Sequence, residues 1–340
     1  MANENPLKVA CYGAGYFSQF HFDAWGRISG AELVGIANRN QANIPDLGIA
    51  KFADVASMLN QTKADILDII TPPITHLAAI KQAVDFGVKA IICQKPFCEN
   101  IEDAKAATKL AADADIPLVI HENFRFQPWY RLIKSKLEES VIGELLQFTF
   151  RLRTGDGQGK DAYLDRQPFF REMEQLLIHE TGAHWVDTFQ YLFGAPKSVY
   201  ADLRQLNPVL KGEDAGFMLF EYDNGKRALF DGNRLLDHNA KNCRTTFGEA
   251  LVEGTEGTIY LHGNGSVTLR KFGAQTEAVL MEEKRRPGFA GDCVYALQKH
   301  VIDGLVHGAK LENEAHQYLK IIEIEEAVYR SASEHRKVEL

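Results

Sequence analysis

Residues 7–18 read LKVACYGAGYFS, an apolar run that ends in a glycine-rich turn. The turn, Gly13-Ala14-Gly15-Tyr16-Phe17-Ser18, follows the pattern G-x-G-x-x-G with Ser18 in the last place. In that pattern the first glycine lets the chain turn sharply after a strand. The second lets backbone N–H groups approach a pyrophosphate, and the third position must be small so that helix and strand pack closely. Ser18 meets the last need. A tight strand-to-helix turn has the same composition, so the motif alone is weak. Its place inside a strand, turn, helix, strand unit points to a dinucleotide.

Outward from this turn, short apolar runs alternate with helical patterns: ELVGIAN from residue 32, DILDIIT from 65, VKAIICQ from 88 and PLVIHE from 117. Such alternation predicts a parallel, doubly wound α/β sheet of the Rossmann type. Leu77, Ile80 and Val84 recur at helical spacing before Gly87, which is placed to stop the helix. Ala104, Ala107, Ala111 and Ala114 form a small-residue stripe on the next helix. After residue 124 the rhythm changes. LLQFTFRLR, SVYADLRQL, AGFMLFEY, KRALFDGNR, GTIYLHG and SVTLRKF follow one another with turn signals such as Asp223-Asn224-Gly225. They predict an α+β domain with a large, mainly antiparallel open sheet. A helix from about Glu174 to Phe193 interrupts it, and Val294, Leu297, Val301 and Leu305 mark another helix. The expected division is a Rossmann domain over 1–123 and a substrate-binding and oligomerisation domain over 124–340.

The 340 residues suffice for two packed cores. With 38 basic and 46 acidic residues, the net charge is -8. No basic run could track a phosphate backbone, so nucleic acid is excluded as an expected partner. No long apolar stretch predicts a membrane span or an export signal. The five cysteines are scattered, as reduced thiols of a cytoplasmic protein would be.

Candidate chemistry clusters at the ends of the predicted strands. Asn38 and Arg39 end the second run, where an acidic residue often binds the ribose of NAD. Asn38 can bond a 2'-hydroxyl without repelling a 2'-phosphate, and Arg39 is either a phosphate partner or a solvated loop cation. NAD and NADP are therefore both allowed. Thr71-Pro72-Pro73-Ile74-Thr75-His76 ends the third run, and Gln94-Lys95-Pro96 follows the fourth. Proline biases Lys95 away from helix, which keeps it in a loop over the sheet edge. A surface lysine is the alternative reading. In HETGAHWVD, Glu180, His184 and Asp187 fall on one stripe at 100° per residue. His184 reads as a proton acceptor or as a hydrogen-bonded core histidine.

Two motifs fail on spacing. The histidines of HETGAH, His179 and His184, are five apart and do not share a helix face, so no zinc site is expected. GDGQGK lacks the first glycine of a phosphate-binding loop, Thr154 standing there, and Asp161 replaces its Ser or Thr. The aromatic group Phe124, Phe126, Trp129 and Tyr130 reads as core.

In this order the pieces resemble the Gfo/Idh/MocA family, named for glucose-fructose oxidoreductase and inositol dehydrogenase, along nearly the whole chain. CYGAGYFS resembles the family fingerprint, TPPITH its strand-three signature, and CQKP its lysine motif, usually Glu-Lys-Pro. ENFRFQP resembles an Asn-x-Arg-x-x-Pro junction, and ETGAHWVD an Asp-x-Gly-x-His-x-x-Asp helix. The resemblance implies an NAD(P)-dependent dehydrogenase in which Lys95 polarises the reacting oxygen and His184 exchanges the hydroxyl proton. Glu180 stands where the family has Asp, and Gln94 where it has Glu. Cofactor contacts fall to Gly13, Gly15, Tyr16, Phe17, Asn38, Arg39, Thr71, Pro72, His76, Gln94, Lys95 and Asn123.

The strings HENFRFQPWY, TFRLRTGDGQG and DAYLDRQPFFREM are similar to a branch that includes an enzyme oxidising a branched pentose, D-apiose, at its anomeric carbon to a lactone. In that stretch Arg153, Asp156, Gln158, Tyr163 and Arg166 are candidates for binding sugar hydroxyls, against the alternative of a solvated loop. The resemblance further implies a homodimer or homotetramer built through the C-terminal sheet. A non-catalytic dinucleotide sensor of the same fold is the rival function.

Overall fold

The structure is a computed structural model that describes residues 5–340. It divides into two compact units. One comprises the chain up to Asn123 together with Val294–Lys320; the other comprises Phe124–Cys293 with Ile321–Leu340.

In the first unit the chain runs through β1 (Leu7–Tyr12), α1 (Ser18–Arg27), β2 (Ala31–Ala37), β3 (Ala50–Phe52), α2 (Val55–Thr62), β4 (Ile66–Ile69), α3 (His76–Phe86), β5 (Ala90–Cys93), α4 (Ile101–Asp113) and β6 (Leu118–Ile120). The six strands are parallel in the order β3-β2-β1-β4-β5-β6, the doubly wound arrangement expected from the alternating runs. Every residue of β4, β5 and β6 is buried, as a parallel sheet covered on both faces requires. Gly87 ends α3 with φ 66°, where a side chain would be strained. Ala104, Ala107 and Ala111 are buried on α4, but Ala114 lies past the helix end and is exposed. The strand order reverses between β1 and β4, so the loops after them open at the sheet's switch point. The Ile70 N–H donates to the Tyr12 carbonyl at 2.7 Å, and the Gln94 N–H to the Ile69 carbonyl at 2.9 Å. These bonds bring the ends of β1, β4 and β5 to one edge.

The second unit contains α5 (Pro128–Glu138), β7 (Leu145–Leu152), α6 (Ala183–Phe193), β8 (Ser198–Arg204), β9 (Ala215–Glu221), β10 (Arg227–Asn233), β11 (Gly248–Gly254), β12 (Gly257–Leu261), β13 (Val267–Lys271) and β14 (Ala278–Met281). Two further helices follow, α7 (Cys293–His307) and α8 (Ala315–Glu334), and then β15 (Val338–Glu339). The nine-stranded sheet has the order β14-β13-β12-β11-β7-β10-β9-β8-β15 and is antiparallel except for β7 beside β10. Alternation on β7 sends Phe148, Phe150 and Leu152 to one buried face, against α6. Phe150 stacks on Trp185 with ring centroids 4.1 Å apart, and Phe148 meets Phe189 at 5.1 Å. Buried aromatic pairs of this kind each add about 1 kcal/mol beyond their area.

Two expectations need correction. Val294–Lys320 belongs to the first unit, not to the second domain. The apolar stripe of α7 needs cover, and Tyr295 lies under the Arg27 guanidinium of α1 at 4.7 Å. The segment before α8 also caps the open edge of β6, where the Ile120 N–H donates to the Asn313 carbonyl at 2.8 Å. The helix expected from Glu174 starts later: Leu177–Gly182 form a π-helical turn that leads into α6. Bonds in a π turn reach one residue further, so a rotation of 100° per residue does not carry from Glu180 to His184.

Candidate active site

The glycine turn in the first unit has the geometry a dinucleotide needs. Gly13 has φ 118°, and a Cβ there would lie 2.9 Å from the Ile70 carbonyl, so the turn closes only with glycine. Gly15 is the reverse: a Cβ on it would meet nothing within 4 Å. That open side is where a pyrophosphate would rest at the start of α1, and the residues fit NAD or NADP. Tyr16 is exposed and Phe17 half-buried beside it. The Ser18 hydroxyl donates to the Gly15 carbonyl at 2.7 Å.

Asn38 at the end of β2 braces the turn. Its Oδ1 accepts from the Ala14 N–H at 3.2 Å, and its Nδ2 donates to the Asn40 carbonyl at 2.7 Å. Arg39 is exposed next to it. Thr71 is half-buried and Pro72 exposed beyond β4, while His76 is fully buried at the start of α3. His76 Nε2 donates to the Thr71 carbonyl at 2.7 Å, and its Nδ1 accepts the Cys98 N–H at 3.3 Å. Burial pushes this imidazole down to about 4, against the opposing effect of the Thr71 bond. A neutral His76 thus ties the loop after β4 to the loop after β5.

Gln94 and Lys95 lie in that second loop, ahead of α4, as expected. The Gln94 side chain is buried and the Lys95 side chain half-buried. The Lys95 N–H donates to Gln94 Oε1 at 3.2 Å. Asn123 is buried past β6.

In the second unit His184 is 7% exposed in the first turn of α6. Its imidazole lies flat on Phe124, with centroids 3.8 Å apart and planes 5° from parallel. The neighbouring Arg125 forms a two-point bond to Asp187 one turn along, at 2.8 and 2.5 Å. Adjacent residues therefore grip two positions of one helix face, and Asp187 holds the backbone frame. The π turn ahead of His184 is fixed by the buried Glu213, whose carboxylate accepts the N–H of Leu176 at 3.2 Å and of Ile178 at 3.1 Å.

The substrate candidates divide. Asp156 accepts from Thr154 at 2.5 Å, Arg166 at 2.8 Å, Tyr163 at 3.3 Å and Arg234 at 3.3 Å. Burial alone would raise its carboxyl, but Arg234, Thr154 and Arg166 hold it below the usual carboxylate range. Burial pushes the Tyr163 hydroxyl up to about 12. Arg153 is separate from this cluster: it bonds the Asp231 carboxylate at 2.5 Å and carbonyl at 2.8 Å. Gln158 is exposed, its amide on the Leu235 carbonyl.

Arg234, just after β10, was not among the expected residues. Its side chain is 4% exposed and bonds Thr181 as well as Asp156 and Tyr163. Glu180, next to Thr181, acts with Tyr163 and Asp156 to keep this guanidinium charged against its burial. So Asp156, Tyr163 and Arg166 are joined to the π turn through a residue that nothing in the string GNRLLDH singles out.

Among the described residues no group of three or more His, Cys, Asp or Glu side chains could hold a metal ion, and no helix is long and apolar enough to cross a membrane.

Comparison with known proteins accords with this geometry. Residues 7–121 match the oxidoreductase family with an NAD-binding Rossmann fold, and residues 130–260 match the GFO/IDH/MocA C-terminal domain. The chain is 30% identical to a D-apiose dehydrogenase of Rhizobium rhizogenes, covering 99% of each protein. It is 29% identical to a D-apiose dehydrogenase of Paraburkholderia graminis, covering 98% of this chain and 90% of the relative. A crystal structure of an oxidoreductase from Agrobacterium radiobacter, in complex with NAD+, L-tartaric acid and magnesium, superposes with a TM-score of 0.87 at 29% identity over 98% of both chains. The chain belongs to the Gfo/Idh/MocA family of NAD(P)-dependent oxidoreductases.

Proposed function

We propose that this enzyme oxidises a hydroxyl-bearing carbon of a sugar or polyol, and that the substrate is an aldose such as D-apiose, oxidised at C1 to the lactone. The observation that carries the substrate reading is the near full-length likeness to two D-apiose dehydrogenases. The Asp156 cluster supports it. An ionised carboxylate among Tyr163, Arg166 and Arg234 presents acceptors and donors at fixed spacing, which suits vicinal hydroxyls.

Bound NAD(P) supplies the hydride acceptor. His184, as the neutral imidazole, takes the hydroxyl proton as the C–H bond breaks. Its stacking on Phe124 fixes the ring plane, so the accepting lone pair keeps one direction. The Lys95 ammonium stabilises negative charge that gathers on the same oxygen. Glu180, beside Arg234, orients the substrate end of the π turn. Lys95 belongs to the first unit and His184 to the second. Without a carboxylate at position 38, either NAD or NADP is accepted.

The sheet face of β7, β11 and β12 that carries Thr149, Arg151, Leu251, Tyr260 and His262 around a shallow depression supports pairing of subunits into a homodimer or homotetramer. The test of function is a screen of aldoses, polyols and sugar acids with each cofactor, followed by the absorbance of reduced nicotinamide. Turnover of D-apiose above the other sugars is expected. Cofactor binding without turnover of any sugar, polyol or sugar acid would instead favour a dinucleotide sensor.

A further inference from the structure

Beneath the Lys95 loop lies a buried polar chain that the reaction as described does not use. Asp68 sits in the middle of β4 and is fully buried, a costly place for a carboxylate. Its Oδ2 accepts from Trp25 Nε1 at 2.8 Å and from Gln298 Nε2 at 3.3 Å, and lies 2.7 Å from His21 Nδ1. His21, also fully buried, places its Nε2 2.8 Å from Gln94 Nε2. The same amide nitrogen lies 3.2 Å from His121 Nδ1.

The proton positions follow from the one donor whose direction is fixed. The Lys95 backbone N–H points at the Gln94 side chain, so the atom it meets must be the carbonyl oxygen. The Gln94 NH2 then faces both imidazoles and donates one hydrogen to each. His21 Nε2 and His121 Nδ1 must both be lone pairs. His21 therefore carries its hydrogen on Nδ1, where Asp68 accepts it. Each bond in the chain fixes the next, from a carboxylate in the sheet to the backbone of Lys95.

We propose that Asp68 and His21 act as a positioning pair for Lys95, transmitted through the Gln94 amide, and that glutamine stands at 94 because two neutral imidazoles there need a donor. A carboxylate at 94 would face two lone pairs; His121 can move its hydrogen to Nδ1 and donate, but His21, whose hydrogen serves Asp68, restores contact only by taking up a proton. Among the described residues the other titratable groups that face this chain are Cys11 on β1 and Cys93 on β5, both buried; α7 contributes Gln298, whose Nε2 lies 3.3 Å from Asp68 Oδ2 and 3.2 Å from His21 Nδ1. The positioning role rests on the reading of Lys95 as the group that polarises the substrate oxygen.

The test compares Q94E, which conserves volume, with H21N, which is too short to reach both Asp68 and Gln94. Two readouts are taken on the full-length enzyme: kcat for D-apiose oxidation across pH, and hydrogen exchange of the 94–98 segment. We expect H21N to lower kcat about tenfold or more with little change in KM, and to speed exchange of that segment. In Q94E, the pH profile of kcat departs from that of the wild type, because proton uptake at His21 now decides its contact with position 94. If H21N does not fold, Q94E alone decides. Unchanged exchange and an unchanged pH profile overturn the positioning pair. K95A separates the two claims: full turnover in K95A rejects the catalytic reading of Lys95, while the exchange data still decide whether the pair holds its loop.

Discussion

Phe124 lies flat on His184, ring centroids 3.8 Å apart, and the next residue in the chain, Arg125, clasps Asp187 three positions along the same helix. On the proposed mechanism His184 takes a proton along one direction, which requires the ring to be held. The aromatic face restricts the ring plane by contact area, while the guanidinium fixes the helix that carries it. Both anchors come from one short turn, Phe124–Phe126, so the orientation of the imidazole depends on few residues.

Replacing Phe124 by Leu keeps most of the volume and removes the flat surface. Stability should fall by only about 1 kcal/mol, whereas kcat should fall on the order of tenfold, because the ring is free to turn. Steady-state kinetics with NADH binding as control checks this. An unchanged kcat would show that the stack is packing alone.

The Asp156 cluster yields a different signature. In D156N the guanidinium of Arg234, 4% exposed, loses its carboxylate partner. Breaking one side of a buried ion pair costs about 3 kcal/mol, and urea unfolding should show a loss of that order. KM for the sugar should rise together with it. Loss of stability with unchanged KM would assign the cluster to structure and not to substrate.

His76 makes stability depend on pH. Its folded value is pushed down from 6.5 to about 4 by burial. Between these two values the unfolded chain binds a proton that the folded chain does not, so stability rises with pH across that window and falls on acidification. The full span is worth roughly 3 kcal/mol. Unfolding midpoints measured between pH 4 and 7 should show this slope in the wild type and a shallower one in H76Q. Equal slopes would contradict it.

Much of the first domain was legible because its signals are local. The turn at Gly13–Ser18, the stop at Gly87 and the loop at Gln94–Lys95 follow from residues a few positions apart, and each stands where expected. β3 is not legible in the sequence, since three residues, Ala50–Phe52, carry no period. β11 escaped for another reason: Gly248–Gly254 opens on a glycine, and a Cβ there would strike the Arg151 carbonyl, so its strand state depends on close pairing with distant β7. α8 was not among the expected helices, although Ile321, Ile324 and Val328 recur at helical spacing and are buried. The π turn and Arg234 are legible only in three dimensions. An extra residue in a helical turn leaves no mark on composition, and Arg234 takes its meaning from Asp156, Tyr163 and Thr181, all far away in sequence.

The most direct test is turnover of D-apiose by K95A and H184A, with cofactor affinity measured by NADH fluorescence in the same preparations. Both variants should bind NADH as the wild type does and lose turnover by about a hundredfold or more. Wild-type turnover in both would show that neither the ammonium nor the imidazole acts on the substrate oxygen.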